Sequence, residues 1–346
     1  MKVNKKLWTC LVGAFSMLVM ILDTKTSLFG ARDGLELCLA TVIPSLFPFF
    51  VISGIINSSL SGVSVAILRP IAKFTRIPSG AESFFLLGLM GGYPIGAKNL
   101  HSAYLSGCVS KSTAERMIGF CNNAGPAFIF GIVGGMFGKP QIAWMIWLIH
   151  VASAFIVGIL LPGKAENKCR QIEGNTISIP KILEQSIKST ALVCGWIIIF
   201  RVIITFLDHW FLWLLPDTAQ VVLIGLLELS NGCCELGRIT NDGLRFVVAS
   251  AILALGGACV TMQVNSVTQG LRLSYYYQGK LLQLLLSTML SVIFQGLLFA
   301  DHIEFHYSLV LCITICVGIL LTLFLAKPKN DVAIREKMIY NISNSC

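Results

Sequence analysis

A series of long apolar runs, separated by short polar stretches, constrains this chain more than any other feature. A helix of about 20 apolar residues crosses the ~30 Å hydrocarbon core of a bilayer, and Ile142–Leu161 is a clean span of this length. The runs are, in chain order, Leu7–Leu22, Leu35–Leu60, Glu82–Gly96, Met117–Phe137, Ile142–Leu161, Ile182–Leu207, Ala219–Gly232, Phe246–Val267, Leu281–Phe299 and Tyr307–Ala326. The pattern predicts an all-α polytopic membrane protein with about eight full transmembrane helices and two re-entrant segments.

The composition excludes soluble classes of protein. Only 12% of the 346 residues are charged, 55% are hydrophobic and the mean hydropathy is +0.79. A soluble fold of this size has too little polar surface to cover so much apolar area. The net charge of +9 is scattered in small groups between the apolar runs. We therefore expect membrane lipids as partners and no nucleic acid.

Motifs for catalysis and for metal or cofactor binding are missing from the sequence. It contains no H-E-x-x-H, P-loop or G-x-S-x-G motif, and no acidic cluster suited to a metal pair. Most of the twelve cysteines lie in apolar runs, where they behave as small hydrophobes, and no C-x-x-C pair occurs. We expect no enzyme, no cofactor and no metal site.

Lysine and arginine placement predicts the topology. Most of these residues fall on one side, taken as cytoplasmic, if Glu82–Gly96 and Ala219–Gly232 enter the membrane and return without crossing. This side includes both termini, the linker and Lys280. The first apolar run is interpreted as an uncleaved membrane helix, with removal as a signal peptide the alternative. The two halves then have inverted topology, an arrangement common in secondary transporters.

The resulting organisation has five parts. Residues 1–34 form an N-terminal transmembrane helix and loop, 35–162 the first repeat, 163–181 a cytoplasmic linker, 182–300 the second repeat, and 301–346 the last transmembrane helix and a polar cytoplasmic tail.

The candidate site consists of polar residues and glycines at the points where apolar runs break. Bare backbone at membrane depth is tolerated only inside protein or along a wet cavity, and an intramembrane carboxylate is costly enough to indicate function. The candidate substrate-binding residues are Tyr93, Gly96, Asn122, Asn123, Glu228, Ser230, Asn231 and Gln263. The structural alternatives are an interfacial loop, a helix cap, an interfacial glutamate and hydrogen bonds between helices. Lys98 is expected to extend to the headgroups, and His150 to be packed in the core.

Three motifs resemble those of a known family. Pro44-Ser45-Leu46-Phe47-Pro48-Phe49-Phe50, Gly92-Tyr93-Pro94-Ile95-Gly96-Ala97-Lys98 and Asn122-Asn123-Ala124-Gly125-Pro126 occur in the order and spacing of the YlbJ-type sporulation integral membrane proteins, over roughly residues 35–326. That family belongs to a wider group carrying "nucleoside recognition" or Gate domains. The resemblance implies Gate-type inverted repeats with re-entrant hairpins, and a bacterial cytoplasmic membrane protein linked to spore cortex formation. Gly256-Gly257 replaces a second amide-proline element.

The sequence is compatible with two functions. The first is a secondary transporter or permease of a small polar solute, possible substrates including nucleoside-like molecules, with Glu228 binding solute or a coupling ion. The alternative is a non-transporting scaffold or signalling component of spore-envelope assembly. Either protein could be a monomer or a homo-oligomer.

Overall fold

The computed structural model describes residues 5–60, 66–163, 169, 178–299, 314–319 and 322. Within these ranges the protein is built from α-helices, as predicted. They are α1 (Lys5–Leu22), α2 (Thr24–Leu37), α3 (Ile43–Leu60), α4 (Arg69–Thr75), α5 (Glu82–Gly91), α6 (Ile95–Leu105), α7 (Lys111–Cys121), α8 (Pro126–Phe128), α9 (Pro140–Leu160), α10 (Ile179–Trp210), α11 (Asp217–Leu227), α12 (Leu229–Cys234), α13 (Asp242–Leu255), α14 (Gly257–Val267) and α15 (Ser274–Leu298). Short π-helical segments, Cys38–Val42 and Ile129–Val133, follow α2 and α8.

Six helical stretches in the described part of the chain are long and apolar enough to cross a membrane. They are Thr24–Ile56, Lys111–Met136, Pro140–Leu160, Ile179–Trp210, Asp242–Val267 and Ser274–Leu298. Leu7–Leu22 is a shorter apolar helix. The predicted last span, Tyr307–Ala326, and the polar tail lie largely outside the described residues. The chain is therefore a polytopic α-helical membrane protein.

The N-terminal region differs from the prediction. Residues 24–34, expected to form a loop, belong to α2, which continues through the π-helical segment into α3. The Asp23 side chain caps α2 by accepting a hydrogen bond from the Thr26 amide at 3.1 Å. Gly30 and Gly34 let α2 pack closely against α10, where Asp33 forms an ion pair with Arg201. The polar residues that suggested a loop thus stabilise a helix–helix contact.

Two pairs of short helices correspond to the predicted re-entrant segments. Helices α5 and α6 contain 10 and 11 residues, so each is only about 15–17 Å long, half of a hydrocarbon core. They pack against each other where Gly88 faces Gly96. Helices α11 and α12 pack in the same way at Gly225 and Gly232. Glycine is required at Gly88, Gly96 and Gly232 because an added Cβ atom would meet backbone, whereas at Gly225 it would meet the Ile252 side chain.

Each short-helix pair is followed by a helix that breaks. The first break, residues 122–125, separates α7 from α8, and the second lies at Gly256, between α13 and α14. Gly256 and Gly257 have φ angles of 78° and 77°, a region that only glycine enters without strain. A Cβ atom on Gly257 would also lie 2.8 Å from the Gly225 carbonyl oxygen. The second break is therefore fixed by its glycines.

The loops beside α7 carry two features that the sequence did not reveal. The buried Arg116 guanidinium donates to the carbonyl oxygens of Thr75 (2.6 Å), Gly158 (2.8 Å) and Leu161 (3.1 Å), which ties the ends of α4 and α9 to α7. Cys108 is joined by a disulfide to Cys169 of the linker, 61 residues away. Disulfides persist mainly in oxidising compartments, whereas the charge pattern predicts a cytoplasmic linker.

Candidate functional site

A small cavity of about 30 Å³ lies where the helix breaks meet. We call it the central cavity. Its wall includes the tip of the α5–α6 pair, the break before α8, the tip of the α11–α12 pair, and faces of α3, α10 and α14. The lining residues are Val42, Ser45, Leu46, Tyr93, Ala124, Gly125, Phe128, Val193, Ile197, Glu228, Leu229, Ser230, Val260 and Gln263. Both halves of the chain therefore contribute to a single space.

Close backbone contacts hold the breaks together around the central cavity. A Cβ atom on Gly92 would lie 3.1 Å from the Gly125 amide nitrogen, so the first tip touches the first break. A Cβ atom on Gly256 would lie 3.3 Å from the Tyr93 ring, so the same tip also touches the second break. The contacts of Gly257 with carbonyl oxygens near the end of α11 complete the arrangement.

Four of the predicted site residues line the central cavity: Tyr93, Glu228, Ser230 and Gln263. Ser45 is a fifth polar lining residue, which the sequence analysis quoted only within a motif. Thr261 and Asn265, near Gln263 in sequence, are not part of the lining. The remaining wall is largely apolar, so the few polar side chains determine where a solute could hydrogen-bond.

Glu228 is buried at the start of α12, with 1% of its surface exposed. Its Oε2 atom accepts hydrogen bonds from the backbone amide and the side-chain nitrogen of Asn231, both at 2.7 Å. Glu228 therefore caps α12, and Asn231 orients the carboxylate. No Lys, Arg or His nitrogen of the described residues lies within 4.0 Å of it. The carboxylate thus faces the central cavity without a cationic partner.

Tyr93 links the first tip to the second break. Its hydroxyl donates to the Leu253 carbonyl oxygen at 3.0 Å and accepts from the Lys280 ammonium at 2.8 Å. The ammonium also lies 4.7 Å from the centre of the Tyr93 ring, within range of a cation–π interaction. The contacts with Leu253 and Lys280 thus fix the position of the Tyr93 side chain, which also forms part of the cavity wall.

The position of Lys280 corrects the sequence analysis, which placed it among the cytoplasmic positive charges. It lies in α15 with 3% of its surface exposed. The ammonium donates to the Ala254 carbonyl oxygen (3.2 Å) and to Gln283 Oε1 (2.7 Å), and has no carboxylate within 4.0 Å in the described ranges. The break at Gly256 leaves carbonyl groups at the end of α13 without helical partners, and a cation there is favoured by the helix dipole.

The paired asparagines hold the first break rather than line the central cavity. Asn123 Nδ2 donates to the Phe120 carbonyl oxygen (2.7 Å), and its Oδ1 accepts from Gln283 Nε2 (2.9 Å). Asn122 Oδ1 accepts from the Ala97 amide at 3.3 Å. His150 is buried, as expected, and its Nε2 accepts from the Ala124 amide at 3.1 Å. These contacts satisfy backbone groups that the break would leave unpaired.

Gly96 and Asn231, like the paired asparagines, are not among the residues that line the central cavity. A Cβ atom on Gly96 would approach the Cys121 carbonyl oxygen to 2.0 Å, so this glycine serves close packing between α6 and the end of α7. Asn231 positions Glu228, as described above. The described residues contain no group of three or more His, Cys, Asp or Glu side chains placed to hold a metal ion.

These features define the chain as a polytopic integral membrane protein with a buried polar centre formed by broken helices. It is similar to the sporulation integral membrane protein YlbJ of Bacillus subtilis (strain 168), with 24% identity over 331 residues and 80% of each chain covered. This similarity confirms the resemblance to YlbJ-type proteins found in the sequence motifs. No family model matches the chain, and no solved structure matches it.

Proposed function

We propose that this protein is a secondary transporter or permease that moves a small polar solute across the cytoplasmic membrane of a spore-forming bacterium. It is not an enzyme in this proposal. The single observation that carries it is the unpaired Glu228 carboxylate facing the central cavity, where tips and breaks from both halves meet. An intramembrane carboxylate without a structural cation is costly, and its use in binding or coupling accounts for that cost.

The order of the helices supports the same function. A long helix, a short-helix pair, a broken helix and a long helix occur twice, once in residues 24–160 and again in residues 179–298. In the proposal these are inverted Gate-type repeats whose short pairs are re-entrant, and both termini are cytoplasmic. Secondary transporters commonly bind solute at the interface of such repeats, beside discontinuous helices.

Glu228 binds either the solute or a coupling ion in this proposal, while Ser45, Ser230 and Gln263 offer hydrogen bonds to the solute. Hydroxyl and amide groups of this kind match a small molecule with several polar groups, including one that is nucleoside-like. The relative's name connects it with sporulation, and we extend this link, through the resemblance, to spore cortex formation.

Uptake into proteoliposomes tests the proposal. A broad panel of radiolabelled nucleosides, nucleotide precursors, small metabolites and ions is offered to vesicles containing the purified chain. We expect uptake of at least one solute, and a loss of tenfold or more in Glu228→Gln. The matched control is Glu184→Gln, since Glu184 is an exposed carboxylate on α10 that forms an ion pair with Lys188. Absence of uptake across the panel, or equal uptake by the two variants, contradicts the proposal.

Genetic complementation separates transport from a scaffold. A Bacillus subtilis strain lacking its YlbJ protein receives this chain or its variants, and sporulation is counted. A transporter requires Glu228, so Glu228→Gln fails where Glu184→Gln succeeds. Full complementation by Glu228→Gln together with failure of polar-loop truncations instead supports the non-transporting component.

A further inference from the structure

A second cavity, of about 110 Å³, lies between α3, α6 and α10. We call it the vestibule. Its lining residues are Phe50, Gly54, Ile95, Lys98, Asn99, Ser102, Ile182, Gln185, Ser186 and Ser189. Ser102 is exposed at its edge, while Ile182 and Ser186 are buried at its base. The vestibule is therefore a polar recess that reaches the protein surface.

The vestibule and the central cavity lie along the same faces of the same helices. On α10, Ser186 and Ser189 line the vestibule, and Val193 and Ile197 line the central cavity. These positions are three or four residues apart and share one face of the helix. Ser189 and Val193 are one turn apart, about 6 Å along the axis.

The same continuity holds on the other two walls. On α3, Leu46 lines the central cavity and Phe50, one turn further on, lines the vestibule. At the start of α6, Tyr93 faces the central cavity and Ile95 the vestibule. Residues on α3, around the start of α6 and on α10 thus line the central cavity and the vestibule in direct succession.

A thin apolar layer separates the two spaces. Phe50, Ile95 and Val193 belong to one buried cluster and are only 4%, 6% and 3% exposed. Lys98, expected to extend to the headgroups, instead donates from α6 across the vestibule to Ser189 Oγ of α10 at 2.8 Å. This hydrogen bond connects α6, the second helix of the first short-helix pair, to α10 next to the apolar layer.

We infer that the vestibule is the entrance from one side of the membrane to the central cavity, and that Phe50, Ile95 and Val193 form the gate between them. Lys98 is a positioning residue that keeps the gate closed through Ser189. This inference rests on the proposed function. It assigns polar solute a second, peripheral binding position, lined by hydroxyl and amide groups, and it identifies the layer that must open for transport.

Thiol labelling tests this inference without any solute. Single Ser186→Cys and Ile187→Cys variants of the full chain in liposomes are exposed, on one side at a time, to a charged, membrane-impermeant methanethiosulfonate. Labelling of each introduced cysteine is measured by peptide mass spectrometry. Ile187 is the matched control because it neighbours Ser186 on α10 but is 53% exposed on the outer face. We expect Ser186→Cys to react at least tenfold faster, from one side only.

The gate is tested by a second labelling comparison. Ser45→Cys places a thiol in the central cavity, and its labelling from the vestibule side is measured with Ile95→Ala or with the control Ile199→Ala, an outward-facing change on α10. We expect Ile95→Ala to accelerate labelling at least tenfold and Ile199→Ala to leave it unchanged. Gln185→Cys, whose side chain also lines the vestibule, replaces Ser186→Cys if the latter does not fold.

Either of two results overturns the inference: equal labelling of Ser186→Cys and Ile187→Cys, or equal effects of Ile95→Ala and Ile199→Ala on Ser45→Cys. Because labelling requires no transported solute, these failures are distinguishable from failure of the uptake experiment. If the vestibule is labelled as expected but the chain takes up no solute, the proposed function is contradicted. The inferred path from the vestibule to the central cavity is then still supported.

Discussion

Substitution of Gly96 by alanine tests how the first tip is held against the first break. The added Cβ atom would lie 2.0 Å from the Cys121 carbonyl oxygen and 2.9 Å from the Asn122 Cα atom. Favourable contacts between heavy atoms lie near 3.5 Å, so α6 and the end of α7 must separate by about 1 Å or more. Overpacking of this kind costs about 1–3 kcal/mol, against a gain of about 0.5–1 kcal/mol from replacing a helical glycine.

The matched control is Gly195→Ala in α10, where an added Cβ atom meets nothing within 4 Å. This variant has only the helical gain, which Gly96→Ala shares, so we expect Gly96→Ala to be less stable than Gly195→Ala by the overpacking cost of about 1–3 kcal/mol. Thermal unfolding of the two variants in the same detergent, followed by the loss of monodisperse protein, measures the difference. Equal melting temperatures would show that α6 and α7 do not pack as described.

Three further predictions concern the supports of the site. Arg116→Met leaves several buried carbonyl groups without a donor, so we expect the free energy of unfolding to fall by about 2–4 kcal/mol. Thermal unfolding of the variant against wild type measures this change. For Asp33 and Arg201, a double-mutant cycle to alanine should give a coupling of about 0.5–1 kcal/mol, because Asp33 is still 37% exposed; no coupling would contradict the α2–α10 contact. Protein prepared without a reductant and treated with a maleimide-polyethylene glycol should gain mass at Cys108 and Cys169 only after reduction. A mass gain at these two cysteines before reduction would exclude the disulfide.

The sequence predicted the helix breaks well because their causes are local. Glycine, proline and asparagine interrupt an apolar run wherever the chain folds, so the breaks beside Tyr93 and Asn123 could be located without a structure, whereas Phe246–Val267 was predicted as one run and is broken at Gly256. Glu228 was recognisable for a similar reason, since a carboxylate after an apolar stretch is conspicuous by itself. Of these residues, Tyr93 and Glu228 line the central cavity.

The supports of the site could not be predicted because they depend on distant contacts. The charge rule assigned Lys280 to the cytoplasmic side, since nothing near it in sequence shows that Tyr93 and the end of α13 surround it. The helical character of residues 24–34 depends on packing against α10, some 170 residues later. Selection of site residues by their position at a break likewise included Gly96, whose role in the structure is close packing.

Cross-linking across the central cavity tests most directly whether breaks from both halves enclose one space. Ser45→Cys and Ser230→Cys are combined, because both serines line the central cavity and they come from different halves. A short bifunctional methanethiosulfonate is added, and the linked peptides are identified by mass spectrometry. We expect the pair to cross-link, and the control pair Ser45→Cys with Ser250→Cys not to, since Ser250 is buried in α13 away from this lining. No cross-link in the first pair, or equal cross-linking in both, would contradict a shared cavity.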